Sequence, residues 1–326
     1  DGGAGPERVL HGAGVSVAPS PRLLRALLPP LSLAALLAVI FWLQPRTMSY
    51  FGLNLLLNLA VPIALATLAQ RFILCVNELD LSVGAFVSLV ACVTATWLHD
   101  APLLGAAALV GLIALYAGVG ALIHIFSLPS IVMTLGLSFV WLGLAVLVLP
   151  TPGGSAPPYL RSLMPLKPPY VPVPIIASVV IAVAAHLFLM RSAVGVALRG
   201  AGGNPKSLER AGWSILKIKM AMFALAGFFC VLSGMALVGL TTSADANIAL
   251  RYTLLSIAGV ILGGGEFVGG RVNPIGAVMG AMTLALAGSF LSFLRLNPDW
   301  QIGAQGAILI LVLALRVLIS RRERGA

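Results

Sequence analysis

Long apolar runs, each closed by a short polar or Pro/Gly-rich break, follow one another along nearly the whole chain. An α-helix needs about 20 mainly apolar residues to cross a hydrocarbon layer, and about ten runs qualify. They lie near 27–43, 59–76, 81–98, 102–123, 128–149, 173–190, 218–241, 252–265, 274–294 and 301–319. A closed barrel is the other spanning solution, and its short strands would alternate in polarity. Unbroken stretches such as PLLGAAALVGLIALYAGVGALIHI do not. The pattern predicts an all-α polytopic membrane protein of about ten transmembrane helices, some of them broken or re-entrant.

Composition agrees: 60% of the 326 residues are hydrophobic and 9% charged, with mean hydropathy +1.05. A soluble domain carries about 25% charged residues. The formal charge of +10 raises nucleic acid as a partner, so the placement of the cations decides. With a cytoplasmic start, 13 of the 20 Lys and Arg residues fall inside, six of them (Arg191, Arg199, Lys206, Arg210, Lys217 and Lys219) in one loop. Five fall outside (Arg46, Arg161, Lys167, Arg251, Arg295), and Arg71 and Arg271 lie in spans or hairpins. That bias follows the positive-inside rule, so the basic balance reports topology, with both termini cytoplasmic and no nucleic-acid partner.

Residues 1–22, rich in Gly and Pro, are expected to form a disordered arm, 23–320 one membrane domain and 321–326 a cytoplasmic tail. Cys75, Cys92 and Cys230 sit in apolar segments without ligand or disulfide spacing, which suits packing roles. His11, His99, His124 and His186 are scattered, and neither H-E-x-x-H nor G-x-S-x-G occurs. No metal, cofactor or catalytic constellation is expected, so the chain does not read as an enzyme.

Two connections stand out. The outer one, Thr151 to Pro174, is too rich in Pro for regular helix and separates about five spans on each side, a division consistent with two related halves. The inner one, 191–219, contains GAGGNPKSLERAG. Gly200, Lys206 and Ser207 match a phosphate-binding loop, but Pro205 occupies the place of its second glycine and removes an amide from the cradle. Asn204 suits an N-cap, Pro205 the first helical position and Gly212 the residue past the end. A short helix from about Pro205 to Ala211 is predicted.

Polar groups cluster inside the membrane region at RFILCVNELDLSVGA, with Arg71, Asn77, Glu78, Asp80 and Ser82 within twelve positions. Charges at that depth normally face a bundle interior or a water-filled path. One reading is a broken helix in which Asp80 opens a new segment and both acids favour its positive end. The other is an inside turn with solvated acids. A second irregular element, GGGEFVGGRVNP from Gly263 to Pro274, reads as a re-entrant turn in which Glu266 and Arg271 can pair. Gly259/Gly263 and Gly276/Gly280 have the spacing of close helix contacts.

The runs LDLSVGAFVSL, GVALRGAGGNPKSLERAG, GGGEFVGGRVNPIGAVMGA and PDWQIGAQGAILILVLAL, in this order, resemble ABC transporter permeases of the ribose and simple-sugar import type. The resemblance covers about residues 30–320. It implies a coupling helix docking on a separate ATP-binding subunit, with Asn204 and Pro205 opening the helix, Ser207 within it, and Lys206, Glu209 and Arg210 facing that subunit or the membrane lipid head groups, a plain solvated face being the other reading of these three. It also implies a second permease subunit, an extracytoplasmic binding protein and a pathway between the permeases. Asn77, Glu78, Asp80, Ser82, Asn273 and Gln301, the polar groups nearest the irregular elements, are the pathway candidates. One departure is visible: the family commonly has two glycines and an Ile before DLSVG, where this chain has Asn77, Glu78 and Leu79. Nucleosides or branched-chain amino acids therefore remain alternative cargo, and an ATP-independent secondary transporter is a further alternative.

Overall fold

The computed structural model describes residues 21–163, 166, 168–265, 270 and 272–294, with single positions at 300, 303, 306, 307 and 310. All regular structure among these residues is helical, and one isolated bridge, Gly153 to Ala244, is the exception. In chain order the helices are α1 (Pro21–Leu43), α2 (Tyr50–Leu57), α3 (Ala60–Cys75), α4 (Val83–Ala95), α5 (Trp97–Asp100), α6 (Pro102–Ile125) and α7 (Ser130–Val148). Then come α8 (Pro158–Leu163), α9 (Val173–Arg191), α10 (Ala193–Gly203), α11 (Pro205–Arg210), α12 (Ile215–Thr241), α13 (Tyr252–Leu262) and α14 (Pro274–Phe293).

Seven described helical stretches are long and apolar enough to cross a membrane, and Leu27–Leu43 and Tyr252–Leu262 are shorter apolar helices. The stretch expected at 301–319 lies largely outside the described residues. Without a hydrophobic drive between helices in lipid, close packing has to hold the bundle. The 27-residue α12 supplies its axis, lying against α6, α3 and α4. Phe86 (α4), Tyr116 (α6), Trp141 (α7) and Phe223 (α12) tie those elements together, with ring centroids 4.4 Å apart for Phe86–Tyr116 and 6.1 Å for Tyr116–Phe223.

The paired glycines meet as their spacing predicts. A Cβ on Gly280 would lie 2.2 Å from the Gly259 carbonyl oxygen, and one on Gly263 2.3 Å from Gly276. Only hydrogen fits between α13 and α14 at that distance.

The outer connection differs from expectation in one respect. Pro158 opens a single turn and a half of helix, α8, because PYLRSL carries no further proline to interrupt it. The loop is fastened to the bundle by Ser155 N–H to Ala95 O (2.8 Å) and Ala156 N–H to Thr242 O (3.0 Å).

Candidate functional site

The short helix α11 forms where the capping residues place it. Asn204 accepts a hydrogen bond from Ser207 N–H (3.2 Å), Pro205 occupies the first turn, and Gly212 takes φ +85° beyond the end. Lys206, Ser207, Glu209 and Arg210 are all exposed, so the helix presents a charged face. Its one apolar anchor is Leu208, whose Cδ1 lies 3.3 Å from where a Gly200 Cβ would stand. The arrangement is a small polar helix standing off the bundle, held at its root.

That root is tightly built. α10 runs into α11, and its last turn is wedged against the segment joining α3 to α4. A Cβ on Gly202 would come within 1.9 Å of the Cys75 carbonyl oxygen. Asn77 donates from Nδ2 to Gly202 O at 2.8 Å, and does so from a left-handed backbone, φ +60°. Asparagine is among the few side-chain-bearing residues that adopt it readily. Gly270 lies against the same turn, its Cα beside Gly202 and a Cβ on it 2.2 Å from the Arg199 carbonyl oxygen, again a distance that admits no side chain.

The linker from Val76 to Ser82 is irregular, and its backbone amides find partners one by one, as buried backbone must. Asn77 N–H goes to Leu74 O, Glu78 N–H to Ile73 O, Leu79 N–H to Ser130 Oγ (3.2 Å) and Leu81 N–H to Thr134 Oγ1 (3.0 Å). With its amide oxygen and nitrogen exchanged, the orientation that satisfies both, Gln70 closes on Asp80, donating to Asp80 O (3.0 Å) and accepting from Asp80 N–H (3.2 Å). The carboxylate of Asp80, fully buried, accepts from Ser82 N–H (2.6 Å), Ser82 Oγ (2.7 Å) and the Tyr116 hydroxyl. One segment thus touches α3, α6, α7 and α10.

The two acids part company here. The helix is interrupted between Cys75 and Val83, but Asp80 does not cap α4: Ser82 is the N-cap, its side chain makes no capping hydrogen bond, and Asp80 accepts from the Ser82 amide ahead of the helix. Glu78 instead turns to Lys219 near the start of α12, Oε1 to Nζ 2.5 Å, with the side chains 14% and 19% exposed. A solvated inside turn does not fit either placement.

Of the other pathway candidates, Ser82 spends its hydroxyl on Asp80, and Asn273 caps α14 by accepting from Gly276 N–H at 3.0 Å. Gln301 lies outside the described residues, as do Glu266 and Arg271. The structure therefore brings Asn77, Glu78, Asp80 and Ser82 together and sets Asn273 apart as a helix cap.

A second broken element escaped the sequence reading. From Thr242 to Arg251 the chain is irregular, and it meets the start of α4. Ala249 N–H donates to Ser88 Oγ (3.0 Å), Gly84 N–H donates to Thr253 Oγ1 (2.9 Å), and a Cβ on Gly84 would lie 2.6 Å from both the Ala249 and Leu250 carbonyls. The N-termini of α4 and α13 face one another across this contact. Polar residues at Thr242, Ser243, Asp245 and Asn247 were the available signal.

A multi-pass helical bundle with interrupted helices at its centre and a capped helix projecting from one long loop is the architecture of a membrane transport subunit. The family model for the branched-chain amino acid transport system/permease component matches residues 52–313, and the chain belongs to that family. It is 28% identical over 303 residues to the probable ABC transporter permease protein YphD of Escherichia coli (strain K12), covering 90% of each chain. It is 24% identical to the ribose import permease protein RbsC of the same organism, over 90% of this chain and 94% of the relative. It is 33% identical to the galactose/methyl galactoside import permease protein MglC of E. coli over 38% of this chain and 37% of the relative. No solved structure matches the chain significantly. The protein is an ABC transporter permease of the multi-pass bacterial inner-membrane type.

Proposed function

We propose that the chain forms the transmembrane pathway of an ATP-driven importer for a sugar or sugar-like solute. A binding protein delivers the solute from outside, and ATP is hydrolysed on a separate subunit. The observation that carries this reading is α11 together with its root. A six-residue polar helix with an Asn cap and exposed Lys206, Glu209 and Arg210 contributes little to packing beyond Leu208. It is nevertheless held to the bundle by Gly202, Asn77 and the Glu78–Lys219 pair.

In this reading α11 is the element on which the ATPase acts. Closure of the ATPase dimer displaces α11 and α10. The displacement reaches the 76–82 linker through Gly202 and Asn77, and from there α6 through Asp80–Tyr116 and α7 through Ser130 and Thr134. Helices that rock as packed units alternate access in this way. Two permease subunits are proposed, with the pathway between them. Asn77, Glu78, Asp80 and Ser82 hold the pathway's walls, since their polar atoms already have protein partners; Asn273 acts as a cap.

The experiment is uptake into vesicles carrying the chain, its genomic-neighbour ATPase and binding protein. Uptake that requires ATP supports the reading. Uptake that proceeds without ATP, driven by an ion gradient, overturns it in favour of a secondary transporter.

A further inference from the structure

Arg251 is out of place for an outer-loop residue. It caps α13 and follows Leu250, whose carbonyl abuts Gly84 in the first turn of α4. From Gly84, α4 rises eleven residues to Ala95, about 16 Å at helical rise, where the Ala95 carbonyl accepts Ser155 of the outer loop. In the other direction α13 runs eleven residues to Leu262, again about 16 Å. There Gly263 meets the start of α14, on the side where Gly270 lies on Arg199. Arg251 thus lies about 16 Å along α4 from the outer loop, about half the thickness of a hydrocarbon layer of about 30 Å.

Its side chain is exposed in the subunit, and among the described residues no carboxylate lies within ion-pair distance. The charge also sits at the positive end of α13. An arginine at that depth requires water or an anion.

A cavity of about 480 Å³ opens beside it; its wall is mostly apolar, with Leu55, Leu255 and Leu284 among its residues, and Arg251, Asn58, Thr241, Ser289 and Ser292 are its polar members. Its volume is within the usual range for a small-molecule site. Hydroxyl and amide groups sharing one cavity wall with a guanidinium suit a polyol bearing a carboxylate, because guanidinium pairs with carboxylate in bidentate fashion and hydroxyls that already donate can still accept. We propose that this cavity is a cargo site and that Arg251 selects a sugar acid over a neutral sugar. The proposal rests on the transport reading and adds the substrate class.

The test compares binding of D-galacturonate and D-gluconate with that of D-galactose and D-glucose by the chain and its retained ATPase in lipid nanodiscs. Wild type, Arg251→Gln and Arg251→Lys are measured side by side. Wild type is expected to bind at least one acid about ten-fold more tightly than its neutral counterpart, the size of one well-formed charged contact. Arg251→Gln loses that preference, and Arg251→Lys keeps most of it. Absence of a preference in wild type, or its survival in Arg251→Gln, overturns the proposal. So does a variant whose binding-protein-stimulated ATP hydrolysis falls while the acid preference stays, since Arg251 would then dock a protein carboxylate. Failure to retain an ATPase counts against the transport reading alone, and the acid preference is then read on the isolated chain.

Discussion

Glu78 and Lys219, 141 positions apart, form an ion pair at 2.5 Å that joins the α3–α4 linker to the first turns of α12. Glu78 stands beside Asn77, which grips the last turn of α10. Two adjacent side chains therefore clasp the inner loop at both of its ends, before α11 and after it.

Charge reversal separates this clasp from a chance surface contact. Glu78→Lys or Lys219→Glu alone is expected to lower stability by about 1–3 kcal/mol, below the full cost of orphaning a buried charge because both side chains retain some water. The exchanged double variant recovers most of the loss. Thermal unfolding in detergent measures it, and additive losses would show that the two residues act independently.

Gly202→Ala tests the wedge. The new methyl group would meet the Cys75 carbonyl, a backbone atom that cannot swing aside. A loss of folded protein is expected, at or beyond the about 1–3 kcal/mol typical of overpacking. Gly136→Ala, where nothing lies within 4 Å, serves as the control and leaves yield unchanged.

Tyr116→Phe removes one of the three donors to the buried Asp80 carboxylate. Destabilisation of about 1–3 kcal/mol is expected. Combined with Asp80→Asn, it should cost less than the sum of the single changes, because the two groups satisfy one another. Full additivity in unfolding experiments would contradict the shared network.

At α11, Asn204→Ala removes the acceptor for Ser207 N–H and is expected to cost about 1 kcal/mol locally, whereas Asn204→Asp preserves the cap. Retention of the ATPase on an affinity column should fall several-fold for the alanine variant and hold for the aspartate. Equal retention would mean that a formed α11 is not needed for docking.

Much of this was legible in the sequence because the signals are local. Asn204, Pro205 and Gly212 state a helix start and stop in nine residues, and α11 forms between them. Spans announce themselves by length and polarity, and the paired glycines by spacing. What stayed hidden depends on partners far along the chain. Nothing near Glu78 names Lys219, and nothing near Gly84 names Ala249, since both contacts are made by folding. Asn77 drew notice as a polar residue in a glycine position of the family, but its role in gripping Gly202 follows from the left-handed backbone at that site. Arg251 read as an outer-loop cation from the count of spans, and its place beside the start of α4 is made by a contact that folding forms.

The central claim, that α11 is where an ATPase engages this permease, is met most directly by co-purification of the tagged chain with its genomic-neighbour ATPase. Wild type is compared with Glu209→Arg/Arg210→Glu, which inverts the charge order on an exposed helix without touching its cap or Leu208. The account predicts that wild type retains the ATPase, that the charge inversion weakens the complex several-fold, and that both proteins purify with the same unfolding temperature. Wild type that retains no ATPase, while vesicles carrying it still accumulate solute without ATP, would contradict it.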